Sequence, residues 1–267
     1  MADRFRVRPG HRAAPADFDP GSTAGAPGDR PATEAAVADL QNRLRDLQNR
    51  LWAEARRSVL VVLQGLDAAG KDGTIRQVFT GVNPQGVRVA SFKEPTAHEL
   101  AHDFLWRVHR DVPQAGEIGI FNRSHYEDVL VARVDRLVDD DVWRARYAHI
   151  NAFESLLTDG GTTFVKFFLH ISRDEQGRRL QERLDRPDKR WKLNRTDFIE
   201  RARWDAYQAA YADVLTLTST EIAPWYVIPS DHKWFRNWAV SQILVDVLGA
   251  IDPRYPDPPP LEGVSVD

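Results

Sequence analysis

Five short apolar runs punctuate the chain: "SVLVVLQ" from Ser58, "VRVASF" from Val87, "EIGIF" from Glu117, "TFVKFFLHI" from Thr163 and "WYVI" from Trp225. Each has the length of a strand, and helical stretches separate them. Strands that alternate with helices predict a parallel sheet covered on both faces. Ahead of the first run, "ATEAAVADLQNRLRDLQNRLWAEARR" places Leu40, Leu44, Leu47 and Leu51 at helical spacing, which predicts a helix packed on the core. A coiled-coil seam is the alternative, but its register is short of three or four heptads. Ser230 and Asp231 stand where they could cap a last helix, "HKWFRNWAVSQILVDVLG".

Outside these elements the pattern changes. From Pro9 to Pro31 the chain is rich in Pro, Gly, Ala and Asp, with too little apolar content to offset its ordering entropy, so a mobile arm over residues 1–34 is expected. A single domain over 35–252 follows, and a proline-rich tail, "DPRYPDPPP" and beyond, occupies 253–267. Within the domain, about 173–216 crowds Arg and Lys onto predicted helices broken near Pro187. That stretch reads either as a solvated helical face or as a lid over anionic phosphates.

Composition narrows the chemistry. The 267 residues are 42% hydrophobic and carry a net charge of −3, enough for a full core and with no global signal for a polyanion partner, so any basic site is local. The chain has no cysteine, which removes disulfides, thiolate nucleophiles and cysteine-ligated zinc. No run approaches the roughly 20 apolar residues of a membrane span, and "MADRFRVRPG" lacks the core of a secretory signal. The expectation is a soluble, cytoplasmic protein.

The first strand runs into Gly65-Leu66-Asp67-Ala68-Ala69-Gly70-Lys71, a G-x-x-x-x-G-K phosphate loop followed by a helix. Its glycines let successive backbone N–H groups face a phosphate, Lys71 adds a point charge, and the helix presents its positive dipole end. Where a hydroxyl usually ligates magnesium after the lysine, this chain has Asp72, then Gly73 and Thr74. Asp67 inside the loop suits a hard cation. Asp72 suits either the cation or the dipole of the helix it opens.

The third run ends in "FNRSHYEDVL". The strand-end acid that orients magnesium in phosphate-loop proteins is replaced by Asn122, with Glu127 and Asp128 close enough to supply the missing charge and Glu127 preferred. Arg123 offers a fork for a transferred phosphoryl group. His125 reads as a phosphohistidine candidate or as a packed histidine. After the second run, "FKEPTAHEL" places Lys93, Glu94 and Thr96 at the exit, with Thr96 and Glu99 spaced as a capping box. The tryptophans read as packing residues rather than a base platform.

Taken together, "LQGLDAAGKDGTI", "KEPT", "FNRSHYEDVL", "EQGRRLQERLDRPDKRWKL" and "PSDHKWFRNW" resemble the polyphosphate kinase 2 family from about Leu40 to Leu248. The resemblance implies a three-layer α/β phosphate-loop kinase with a five-stranded parallel sheet and a helical lid. It implies transfer of a phosphoryl group between inorganic polyphosphate and a nucleotide with Mg²⁺, or Mn²⁺ in its place, by a homo-oligomer with no nucleic-acid or membrane partner. By resemblance, Asp67, Lys71 and Arg123 are catalytic, and Asp67, Asn122 and Glu127 are metal-side. Phosphate or nucleotide contacts fall to Gly65, Ala68, Ala69, Gly70, Asp72, Gly73, Thr74, Lys93 and Arg133, with Arg179, Arg183 and Lys192 from the lid. "NRSHYED" in place of the commoner Asp-Arg-Ser-Trp-Tyr-Asn-Arg resembles the class III subgroup, associated with phosphorylating both AMP and ADP. The rivals are an ATP-dependent kinase of thymidylate-kinase type and a non-catalytic nucleotide or nucleic-acid binder.

Overall fold

In the computed structural model, which describes residues 2–260, the five apolar runs are the strands β1 (Ser58–Gln64), β2 (Val87–Ser91), β3 (Ile118–Asn122), β4 (Thr162–His170) and β5 (Trp225–Pro229). They pair in parallel in the order β2-β3-β1-β4-β5. Val61 of β1 sits opposite Ile120 on one side and Val165 on the other. Because side chains alternate along a strand, Val59, Val61 and Leu63 enter one core while Leu60 and Val62 enter the other. A strand buried on both faces reads as a continuous apolar run, which is why β1 is apolar from Val59 to Leu63.

The connecting helices are α1 (Arg30–Glu54), α2 (Lys71–Val78), α3 (Ala97–Leu100), α4 (Trp106–His109), α5 (Glu127–Val134), α6 (Asp140–Asp159), α7 (Arg173–Asp185), α8 (Arg195–Ala202), α9 (Trp204–Thr218) and α10 (Lys233–Ile251). Helices α1, α2 and α10 cover one face of the sheet, and α5, α6 and α9 the other. The leucine stripe of α1 lies in the core, with Leu44 and Leu51 fully buried. Truncating either to alanine costs about 2–5 kcal/mol. Asp29 caps α1, its carboxylate accepting from the Ala32 N–H at 3.1 Å, so this helix starts a few residues earlier than its leucines suggest. At the other end, α10 begins at Lys233 with no side-chain cap. Asp231, expected to cap it, instead accepts from the Ser172 N–H at 2.8 Å.

The amino-terminal arm differs from the mobile segment its composition suggests. Arg6 bridges Tyr226 in antiparallel fashion. The Val7 N–H donates to the Trp225 carbonyl and the Val227 N–H to the Phe5 carbonyl, both at 2.8 Å. Phe5 and Val7 are buried. Farther along, Ala13 and Thr216 exchange hydrogen bonds of 3.0 and 3.1 Å, and the Asp231 N–H donates to the Pro20 carbonyl at 3.1 Å. The backbone of this arm supplies the ladder partners that the outer edge of β5 would otherwise lack. At the carboxyl end, 253–260 has no regular structure, and the remainder of the proline-rich tail lies outside the described residues. Among the described residues no helix is long and apolar enough to cross a membrane.

Candidate active site

The loop between β1 and α2 crosses the carboxyl ends of the strands, where open α/β sheets bind ligands. Gly65 has φ +150°, and a Cβ there would stand 2.8 Å from the Leu169 carbonyl oxygen. Gly70 has φ +111°, and a Cβ there would run into the Arg236 guanidinium. Two buried arginines back this loop. Arg179 of α7 donates through Nη1 to the Ala68 and Ala69 carbonyls, each at 3.0 Å, and Arg236 of α10 donates through Nη1 to Ala69 at 3.0 Å. A trans peptide opposes its C=O and N–H, so a carbonyl tied back at Ala69 leaves the Gly70 N–H pointing the other way. Burial and the nearby Arg179 charge push the Arg236 guanidinium down to about 9.

In front of the loop, charges of both signs converge. Lys71 is 9% exposed and donates to the Gly65 carbonyl at 2.6 Å. Burial and the neighbouring Arg123 push its ammonium below the ordinary lysine value. Arg123 leaves β3 in a left-handed conformation, φ +62°. Its Nη2 lies 2.7 Å from Asp67 Oδ1, and its Nη1 lies 3.8 Å from Glu127 Oε2. Gln64 Nε2 donates to Glu127 Oε1 at 2.9 Å. Asn122 Nδ2 donates to Asp72 Oδ1 at 2.8 Å, and Lys192 reaches the other oxygen of Asp72 at 3.7 Å.

Helix α8 brings two carboxyls that the sequence reading did not name, Asp197 and Glu200. Glu200 lies 4.0 Å from Arg123 Nη2, and Asp197 lies 3.7 Å from Arg183 Nη1. Burial and the Asp67 carboxylate beside them push Asp197 up to about 6 and Glu200 up to about 8. Burial would also raise Asp67, yet the Lys71 and Arg123 charges hold it well below the carboxylate range. The signal for these acids was present: two carboxyls three residues apart share one face of a helix.

The structure thus brings together Asp67, Lys71, Asp72, Asn122, Arg123, Glu127, Arg183 and Lys192. Others fall elsewhere. Arg179, expected on the phosphate-facing side, is 5% exposed with its donors committed to protein: Nε to Glu175 at 2.7 Å and Nη2 to the Ser230 and Asp231 carbonyls at 2.6 and 2.9 Å. Arg133 lies at the far end of α5, paired with Asp213 at 2.6 Å and stacked over Trp143. Thr74 is buried and donates to the Gly70 carbonyl at 3.1 Å, closing the first turn of α2. The Lys93 side chain is exposed, and its carbonyl accepts from Arg107 at 2.6 Å. Thr96 and Glu99 form a reciprocal capping box at α3. His125 is fully buried, which fits the packed reading and leaves no access for a phosphoryl group.

Asp67, Glu127 and the Asn122 amide oxygen are hard oxygen donors of the kind magnesium takes, so the donor set fits such a cation. Both acids are turned onto Arg123 here, and among the described residues no three acidic or histidine side chains converge as a metal cluster.

The profile of Polyphosphate kinase 2 (PPK2) matches residues 28–256. The chain belongs to the polyphosphate kinase 2 family. Within that family it is 57% identical over 255 residues to the AMP/ADP-polyphosphate phosphotransferase of Meiothermus ruber, covering 96% of each chain. It is 47% identical over 230 residues to the ADP-polyphosphate phosphotransferase of Rhodopseudomonas palustris, covering 82% of this chain and 80% of the relative. The crystal structure of Polyphosphate Kinase 2 from Arthrobacter aurescens TC1 superposes with a TM-score of 0.93 at 45% identity, covering 99% of this chain and 93% of the other. As a polyphosphate kinase 2, the protein carries its phosphate loop on an α/β fold with a five-stranded parallel sheet.

Proposed function

We propose that this enzyme transfers a phosphoryl group from inorganic polyphosphate to ADP and to AMP, forming ATP and ADP. The observation that carries the proposal is the 57% identity, across nearly the whole of both chains, to a relative named for transfer with both nucleotides. The site is compatible in chemistry. A terminal phosphate oxygen of the nucleotide attacks the end phosphorus of polyphosphate in line, the P–O bond to the next phosphate breaks, and the shortened chain leaves with the electron pair. Such transfer needs position and charge rather than a covalent intermediate. Lys71 and Arg123 supply the positive charge, and the loop amides around Gly70 supply N–H donors.

Asp67, Glu127 and the Asn122 amide oxygen are the residues that would hold Mg²⁺, whose chemistry there would be to neutralise charge on the phosphates. The Arg123 fork, which contacts Asp67 and Glu127 here, suits the oxygens of a transferring phosphoryl group equally well. The segment from the end of α7 through α8 acts as a lid, with Arg183 and Lys192 facing the polyanion, whereas α9, expected within the lid, packs Tyr207, Tyr211, Val214 and Leu215 into the core and belongs to the body of the domain. The test is ATP formation from ADP and polyphosphate with no other phosphoryl donor. A requirement for ATP as donor would favour a kinase of thymidylate-kinase type.

A further inference from the structure

A second polar cluster lies behind the site, sealed from water. Lys166 of β4 and Glu154 of α6 are 0% and 1% exposed and meet at 2.6 Å. Lys166 spends its other two N–H donors on the Tyr126 hydroxyl at 2.8 Å and the Thr218 carbonyl at 2.7 Å. The Tyr126 hydroxyl donates onward to Glu154 Oε1 at 2.7 Å, and His125 Nε2 approaches the same oxygen at 3.3 Å. With Nε2 facing a carboxylate, the neutral ring carries its proton there, and His125 Nδ1 has no partner. Burial pushes His125 below its ordinary value, while Lys166 holds Glu154 below its own despite burial.

Such a network is poorly explained by stability. A buried ion pair is often matched or bettered by apolar side chains of similar volume, because desolvation offsets the attraction. What the cluster does is fix geometry, since all three donors of Lys166 are taken and both oxygens of Glu154 are engaged. Its two aromatic members, His125 and Tyr126, sit between Arg123 and Glu127 in the chain. Arg123 is held at φ +62°, a conformation a non-glycine residue keeps only when its surroundings over-determine it. The turn is gripped on the front by Arg123 N–H to Leu63 at 3.1 Å and Tyr126 N–H to Ser124 Oγ at 3.2 Å. The buried cluster grips it from behind. Thr218, the last residue of α9, ties the end of that helix to the same point.

We infer that Glu154, with Lys166 and Tyr126, is a positioning group for the transfer step: it locks the 123–127 turn so that Arg123 and Glu127 face the phosphate loop. This rests on the reading of Arg123 as a phosphate-binding residue given above.

The test is a double-mutant cycle of Glu154→Gln with Arg123→Ala, read both as kcat for ADP with polyphosphate and as the Kd for tripolyphosphate with Mg²⁺. Glu154→Gln alone is expected to lower kcat by about tenfold or more, with KM for ADP within about twofold, because misplacement of a transition-state contact acts on kcat. In the Arg123→Ala background the same change is expected to have no further effect within about twofold. A merely structural role would lower thermal stability and multiply the loss equally in both backgrounds, and that result would overturn the inference. So would a folded Glu154→Gln with wild-type kcat and Kd. Should Glu154→Gln fail to fold, Tyr126→Phe removes one hydroxyl from the same cluster and is read in the same cycle. Failure of the functional reading shows separately, as wild-type kcat and Kd in Arg123→Ala itself.

Discussion

Arg123 and Asp67 meet at 2.7 Å across the mouth of the phosphate loop, one from the exit of β3 and the other from within the loop. The contact joins the residue suited to the transferring phosphoryl group with the residue suited to the cation. Replacing Arg123 with alanine should lower kcat by about 10²–10³ with a smaller effect on KM. Lys71→Ala should do the same, and neither should shift the unfolding midpoint enough to explain the loss. Initial rates beside thermal melts decide it, and a variant keeping half its activity would remove that residue from the transfer step.

Arg179 and Arg183 stand one helical turn apart on α7 with opposite roles. Arg179→Met should destabilise the protein by about 3–5 kcal/mol, since a buried guanidinium leaves several carbonyls unpaired when removed. Lys192→Ala should leave stability within about 0.5 kcal/mol, Arg183→Ala should cost more because the buried Asp197 carboxyl loses its partner, and both should weaken polyphosphate binding, most at low salt, where charge contacts are least screened. Urea unfolding and titrations at two ionic strengths separate these outcomes. Unchanged affinity of the Arg183 and Lys192 variants at every salt concentration would return both to a solvated face.

The α7 pair also shows what the sequence carried and what it did not. The five strands were legible because β1 to β5 are short apolar runs, and the loop was legible because its glycine spacing is backbone chemistry. A run such as "EQGRRLQERLDR" does not say which arginine faces inward, and burial separates Arg179 from Arg183 only once α7 is laid against Ala68 and Ala69. Asp197 and Glu200 went unnamed because acids beside a phosphate site look repulsive until Arg123 and Arg183 are seen between them. The arm reads as mobile because Pro9 to Pro31 is rich in proline and glycine, whereas the buried Phe5 and Val7 that anchor it precede that segment and pair with β5 through backbone atoms.

Glu175 couples loop support to pH. Burial would raise its carboxyl, but Arg178 and Arg179 hold it at about 2, against 4.5 for an ordinary glutamate. A carboxylate whose folded value is depressed contributes stability that is full above 4.5 and is lost as pH falls toward 2. Glu175→Gln should therefore cost about 1–3 kcal/mol at pH 7, with the gap to wild type narrowing as pH drops from 4.5 to 3. Urea midpoints across that range are the measurement, and a constant gap would contradict the pairing.

Asn122 donates to Asp72 at 2.8 Å, a bond that an aspartate would replace with carboxylate repulsion relieved only by drawing the cation closer. Asn122→Asp should change the Mg²⁺ dependence and the ratio of AMP to ADP phosphorylation more than it changes the melting temperature. Initial rates with each nucleotide at saturating polyphosphate and several Mg²⁺ concentrations give the ratio. The same ratio at all of them would show that Asn122 does not set acceptor choice.

The most direct measurement is the time course of nucleotides when the purified enzyme is given AMP, polyphosphate and Mg²⁺ and nothing else. The result predicted is ADP appearing first and ATP after it, both stopping when polyphosphate is exhausted and both abolished in Lys71→Ala. Formation of ADP only when ATP is added as donor, or no nucleotide product at any polyphosphate concentration, would contradict transfer from polyphosphate at this site.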